Sequence, residues 1–190
     1  MKITNFKSTL ISDVNLKKMN EVAKKANYNI KRLLDNETLT QSQCIKFGNI
    51  FELALNEFLK SNNIGLNLIN TRLVKTGKLK KSIQIDLIFE LNNKLYYFEL
   101  KTNLNLDSEK SKATNDKLDI LSEHFNLDLS KYSEINVNIL SCWWEKEKGM
   151  DIKTNKNLYF MSDFFELISC NTNKDEYYNI MKEFGRQINQ

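Results

Sequence analysis

Asp86, Glu99 and Lys101 are the residues of this chain whose types and spacing can do chemistry. They lie in the run Ile83-Gln84-Ile85-Asp86-Leu87-Ile88-Phe89-Glu90-Leu91, Asn92-Asn93, Lys94-Leu95-Tyr96-Tyr97-Phe98-Glu99-Leu100-Lys101. Asn-Asn between two runs of alternating polarity suits a two-residue hairpin turn, because Asn tolerates the positive φ such turns need. With that turn Leu91 faces Lys94, and pairing outward puts Asp86 opposite Glu99 and Gln84 opposite Lys101. Alternation along the strands then gathers Asp86, Glu99 and Lys101 on one face with Gln84, Ile88 and Tyr97. Ile85, Leu87, Phe89, Leu91, Tyr96, Phe98 and Leu100 fill the other face, which this pattern makes the core side. Like charges directly opposite destabilise a sheet, their Cβ atoms being roughly 4.5–5.5 Å apart. Two such carboxylates either share a proton, with one pKa raised, or bind a cation. A hard divalent cation such as Mg²⁺ takes one or two carboxylates together with phosphate and water. Lys101, two residues beyond Glu99 on the same face, can hold a water or phosphate oxygen beside it. This is a layout for hydrolysing phosphodiesters.

An Asp, a hairpin's length, then Glu-x-Lys on the next strand resembles the active-site motif of the PD-(D/E)xK nucleases, with Ile85 standing where that motif has its proline. The segment Gly48-Asn49-Ile50-Phe51-Glu52 resembles the helix that supplies those enzymes with a further glutamate, so the resemblance adds Glu52 to the catalytic set. Glu57 is five residues on, about 500° around a helix, and so lies on a different face. The run from Glu99 to Thr114 resembles the corresponding segment of small type II restriction endonucleases. The resemblance implies Mg²⁺, one or two ions per site, held by Asp86, Glu99 and the Leu100 carbonyl. It also implies an attacking water oriented by Lys101, double-stranded DNA as substrate, a homodimer to cut both strands, and a cognate DNA methyltransferase protecting the host. Two alternatives stay open: a structure-selective or repair nuclease of the same fold, and a non-catalytic DNA-binding module.

The elements that must position these residues follow from periodicity. An apolar stripe through Leu16, Met19, Val22, Ala23, Ala26, Ile30, Leu33 and Leu34 predicts a helix over 14–34 with lysines on its other faces. A second helix is expected over 40–59, where Gly48 and Glu52, four apart, share a face. Leu66–Val74 reads as a first strand. Lys78, Lys80 and Lys81 form a basic turn into the Asp86 strand and are candidate DNA contacts. A helix over 107–125, capped by Asp107 or Ser108, offers Lys110, Lys112, Thr114 and Lys117 to phosphate. Strands over 137–144 and 157–161, a helix begun by Ser162-Asp163 and a closing helix over 175–188 complete the chain. Trp143 and Trp144 suit core or dimer packing better than base stacking. Asp151-Ile152-Lys153 offers a rival Asp-x-Lys, but no apolar alternating run precedes it.

This order predicts one α/β domain over residues 1–190, a mixed central β-sheet flanked by α-helices as in the restriction-endonuclease-like fold. A single histidine excludes His-rich zinc sites, and no P-loop, dinucleotide fingerprint or nucleophile elbow occurs. Three widely spaced cysteines outside any CxxC pattern suit reduced thiols in a cytoplasmic protein. No apolar run is long enough to span a membrane. Residues 1–81 carry 15 Lys and Arg against 6 Asp and Glu, whereas residues 82–190 carry 13 against 18. A basic half beside a carboxylate-bearing half is the asymmetry a DNA-cutting protein needs.

Overall fold

A computed structural model describes residues 3–13, 15–16, 30–64, 73–74, 83–104, 108–126, 131–147, 150, 154 and 156–188. The centre is a mixed four-stranded sheet, flanked by helices, in the order β3 (Leu87–Leu91), β4 (Lys94–Lys101), β5 (Glu134–Ser141), β6 (Leu158–Tyr159). β3 and β4 form the expected hairpin. Asn92 and Asn93 both take positive φ, 52° and 59°, as a type I′ turn requires. The register runs from Leu91 opposite Lys94 to Leu87 opposite Phe98. The chain then crosses through a helix, Ser108–Asn126, to β5, which lies parallel to β4; β6 adds parallel to β5.

The strand expected over 83–91 is broken. Ile83–Gln84 (β2) pairs antiparallel with Leu73–Val74 (β1) in a separate two-stranded sheet. Gln84 therefore faces Leu73, not Lys101. Ile85 and Asp86 are the break between β2 and β3. Ile85 consequently leaves the face shared by Leu87 and Phe89 and packs with Ile83, Ile88 and Tyr97.

Neither face of the sheet is open. Leu87, Phe89, Tyr96, Phe98 and Leu140 join the larger core, built with helices α1 (Thr4–Leu10), α2 (Ile30–Leu34), α3 (Gln41–Ser61), α5 (Met161–Leu167) and α6 (Lys174–Gln187). Ile88, Leu95, Tyr97, Val137 and Ile139 face α4, the crossover helix Ser108–Asn126, through its Leu118 and Leu121. The expectation of a single core side thus gives way to two, because a central strand reached by a helical crossover is covered on both faces.

Phe6 anchors the larger core edge-on against Phe51 and Phe58. Its helix, α1, lay outside the periodicity argument. Thr40 starts α3 with a capping box, accepting from the Gln43 N–H while the Gln43 side chain accepts from the Thr40 N–H. The helix expected to begin at Ser162-Asp163 starts at Met161, and Asp163 reaches back to accept the Phe160 N–H at 2.7 Å. Trp143 is buried beneath the Arg32 guanidinium, 5.0 Å from its ring centre, and Trp144 packs on Phe165 and Tyr177, so both serve the core. All three cysteines are buried and unbridged. Among the described residues no helix is long and apolar enough to cross a membrane. Most of the helix expected over 14–34, most of the strand over 66–74, the basic turn with Lys78, Lys80 and Lys81, and Asp151–Lys153 lie outside the described residues.

Gly185 of α6 sits against the backbone of α2: a Cβ there would stand 1.9 Å from the Leu34 carbonyl oxygen. The Asn36 amide also donates to the Gly185 carbonyl at 2.8 Å. Gly185→Ala is expected to lower the unfolding free energy by about 1–3 kcal/mol, as overpacking of a close contact does, read as a lower denaturant midpoint at unchanged slope. An unchanged midpoint would mean that α2 and α6 do not pack this closely.

Candidate functional site

The break in the strand creates the site. In a two-residue hairpin the hydrogen-bonded pairs recur at every second position from Leu91 and Lys94. Continued regularly, that pattern would give the Leu100 N–H to the Ile85 carbonyl. Instead the Asp86 side chain takes it, Oδ2 accepting from the Leu100 N–H at 2.9 Å. A carboxylate has replaced a backbone carbonyl, which fixes Asp86 beside Glu99-Leu100-Lys101. The carbonyl of Leu100, on the same edge of the strand as its N–H, lies beyond the end of the ladder with β3.

Helix α3 holds the break from the other side. The buried Asn56 amide donates to the Asp86 carbonyl at 3.1 Å and to the Glu52 carbonyl at 2.9 Å. Glu52, one turn before Asn56, is half-buried, and its charge pushes the Asp86 pKa upward. Glu52 thus belongs to the electrostatic surroundings of the pair, yet among the described residues no three His, Cys, Asp or Glu side chains are grouped to hold one metal ion. Gly48 packs on Thr102, just past Lys101, but a Cβ there would meet Thr102 only at an ordinary 3.6 Å. Close approach therefore does not require glycine at this position.

Glu99 is the most enclosed of the charged groups, 6 % exposed. Its Oε1 accepts from the Lys101 ammonium at 2.8 Å; its Oε2 accepts from the Tyr97 hydroxyl at 2.8 Å and from the Lys117 ammonium. Lys117 also reaches Asp86 Oδ1 at 3.8 Å, so one ammonium bridges the two carboxylates. Burial opposes the Glu99 charge, but Lys101 and Lys117 outweigh it and draw the pKa down to about 2. Asp86 goes the other way. Burial first, then the neighbouring Glu99 charge, raise it to about 7 against the opposing pull of Lys117 and the Leu100 N–H. Burial, with the Glu99 and Asp86 charges, holds Tyr97 well above the usual phenol range, so it remains a donor. Two carboxylates bridged by one ammonium thus have their titrations driven apart, as interacting pairs do.

The structure brings together Asp86, Glu99, Lys101 and the Leu100 backbone, with Glu52 close behind. Of the phosphate-contact candidates on α4, Lys110 and Lys112 are exposed. Thr114 is buried, 7 % exposed. Lys117 does not point outward in this structure but joins the charge cluster as a third member. Its place was readable, because Thr114, Lys117 and Leu121 fall three and four apart on one helical stripe. Asn56, four after Glu52, carried the same signal.

No family model, no curated protein and no solved structure matches this chain, so the chemistry rests on the geometry of the site itself.

The divided titration has a consequence for stability in the absence of divalent cations. Asp86 has a folded pKa above its unfolded value, so the stability due to its bound proton is present below about pH 4 and lost as pH rises through about 7. Glu99 has the opposite sign and loses its contribution only as pH falls toward 2. Asp86→Asn keeps an acceptor for the Leu100 N–H and removes the charge. In EDTA it is expected to melt higher than the wild type at pH 8, with the difference shrinking toward pH 5. A difference independent of pH would mean that Asp86 does not hold a proton in the fold.

Proposed function

We propose that this chain is a Mg²⁺-dependent endonuclease of double-stranded DNA, a PD-(D/E)xK nuclease with the restriction-endonuclease-like fold, acting at a short specific site as type II restriction enzymes do. One observation supports this above the others: Asp86, in the break before β3, and Glu99, on the neighbouring β4, already share a single cation, the Lys117 ammonium. That stand-in ion tests the fit of a metal. A point of positive charge is accommodated between two carboxylates, and the Leu100 carbonyl faces the same edge; all are hard oxygen donors of the kind Mg²⁺ selects. Asp86, Glu99 and the Leu100 carbonyl would hold it. When bound, such an ion supplies charge neutralisation at phosphate and acidifies water at neutral pH.

The side chains divide the remaining work. Lys101, 21 % exposed, extends from the same strand face and can donate to the attacking water or to a phosphate oxygen, stabilising charge as it develops in the transition state. Tyr97 keeps Glu99 oriented from beneath. Asn56 holds the Asp86 backbone and thereby the spacing of the two carboxylates. Exposed Lys110 and Lys112 and the basic N-terminal half would draw in the phosphate backbone. A homodimer with one site per subunit would cut both strands, and a cognate methyltransferase would protect host DNA. The enclosure of Glu99 by two ammoniums favours a second reading, a DNA-binding module in which the cluster only ties α4 to the sheet.

Purified protein with unmethylated plasmid and phage DNA separates these readings. The expected result is discrete fragments that require Mg²⁺ and vanish with EDTA. Lys101→Ala is expected to slow cleavage by about 10²-fold or more, the scale of losing one preorganised donor at a developing charge. A smear would point to a structure-selective or repair nuclease. Uncut DNA from folded protein that still binds duplex would replace catalysis with binding.

A further inference from the structure

The side chain of Lys117 carries a second reading of the same cluster. It comes from α4, on the stripe with Thr114, Leu118 and Leu121 that covers the sheet, yet it retains 23 % exposure. Its ammonium bonds Glu99 Oε2, already engaged by Tyr97, and stands 3.8 Å from Asp86 Oδ1. Lys101 differs, since it bonds only the outer oxygen, Oε1. Of the two lysines, Lys117 alone occupies the space between the carboxylates.

We propose that Lys117 is a built-in counter-ion: in the substrate-free protein its ammonium fills the divalent-cation position between Asp86 and Glu99, and it moves to a substrate phosphate when the cation enters. This deepens, and rests on, the metal-dependent reading above. Electrostatics requires the exchange. A divalent ion cannot sit between the carboxylates with an ammonium bonded to one of them, because two like charges a few ångströms apart at a half-buried site repel strongly. The four-carbon stem of lysine lets the head group move without displacing the helix. The displaced ammonium finds its opposite charge on the phosphodiester. Cation and DNA thereby assist each other's binding, and a free coupling of this kind is reciprocal.

Magnesium titration calorimetry without DNA, on wild type, Lys117→Met and Lys117→Arg, tests the exchange. Lys117→Met keeps the length of the stem and removes the charge; Lys117→Arg keeps the charge. Removing the competing cation is expected to tighten Mg²⁺ binding by about tenfold or more in the methionine variant and not in the arginine variant. Adding duplex DNA is expected to tighten Mg²⁺ binding in the wild type more than in Lys117→Met. In EDTA the methionine variant is expected to melt lower than the wild type, and Mg²⁺ is expected to raise its melting temperature more. If Lys117→Met binds Mg²⁺ equally or more weakly while the wild type binds it, the counter-ion role is wrong and the metal site stands. If no form takes up Mg²⁺, the metal-dependent reading falls and this proposal with it. A methionine variant that stays unfolded at every Mg²⁺ concentration also overturns it, because the cation then does not replace the ammonium.

Discussion

A carboxylate almost removed from water on the central strand is the constraint around which this molecule is arranged. Glu99 can stay ionised at 6 % exposure only because two ammoniums and a phenol satisfy it. A buried, unpaired carboxylate would protonate or unfold the protein. The partners come from two elements: Tyr97 and Lys101 from the strand of Glu99 itself, Lys117 from the crossover helix. The position of α4 over the sheet is therefore tied to charge as well as to the packing of Leu118 and Leu121. Asp86, placed by the same break in the strand, shares Lys117 and has its pKa raised, first by burial and then by the Glu99 charge.

The larger core makes this possible from the opposite face. Phe89 and Phe98 stack in line and meet Phe164 edge-on, while Phe6 packs against Phe51, Phe58 and Phe165. Aromatic packing of this extent locks β3 and β4 from below. The hairpin can consequently end its ladder at Leu87 without the strand end drifting, and Asn56 of α3 catches the Asp86 carbonyl just beyond. An interrupted strand between a rigid hairpin and a rigid helix is how a charged side chain comes to be held to one position.

The hairpin was legible in the sequence because it depends on local signals: the Asn-Asn turn and the polarity of its flanks specify the register residue by residue. Helices over 41–61, 108–126 and 174–187 were legible for the same reason, their apolar spacing being internal to each element. The break at Ile85-Asp86 was not, because it depends on a helix amide thirty residues away and on a side chain substituting for a backbone acceptor. Periodicity carries no information on either. The sequence alternation likewise gave one core face where there are two, because Ile88, Leu95 and Tyr97 are apolar for the sake of α4, whose packing is non-local. Asp86, Glu99 and Lys101 were identified through local spacing. Lys117 was singled out as a phosphate contact, but its pairing with Glu99 and Asp86 was not legible, since it is set by what its helix covers and not by its neighbours in the chain.

Charge balance connects the free and working states of the site on the proposed reading. Asp86, Glu99 and Glu52 set three negative charges against the two of Lys101 and Lys117, and the raised pKa of Asp86 relieves part of that surplus. A divalent cation together with one phosphodiester brings a net positive charge of one, which balances the cluster with Asp86 ionised. A cation alone would leave it positive and expel an ammonium into water; a phosphodiester alone would deepen the negative surplus. Either partner by itself is poorly matched to a half-buried site, where unbalanced charge is penalised more than in solvent. The cluster is nearer to neutral with both ligands, or with neither, than with one alone. A site with that property favours joint occupation, and its intermediate states are the ones the arrangement of Lys117 disfavours.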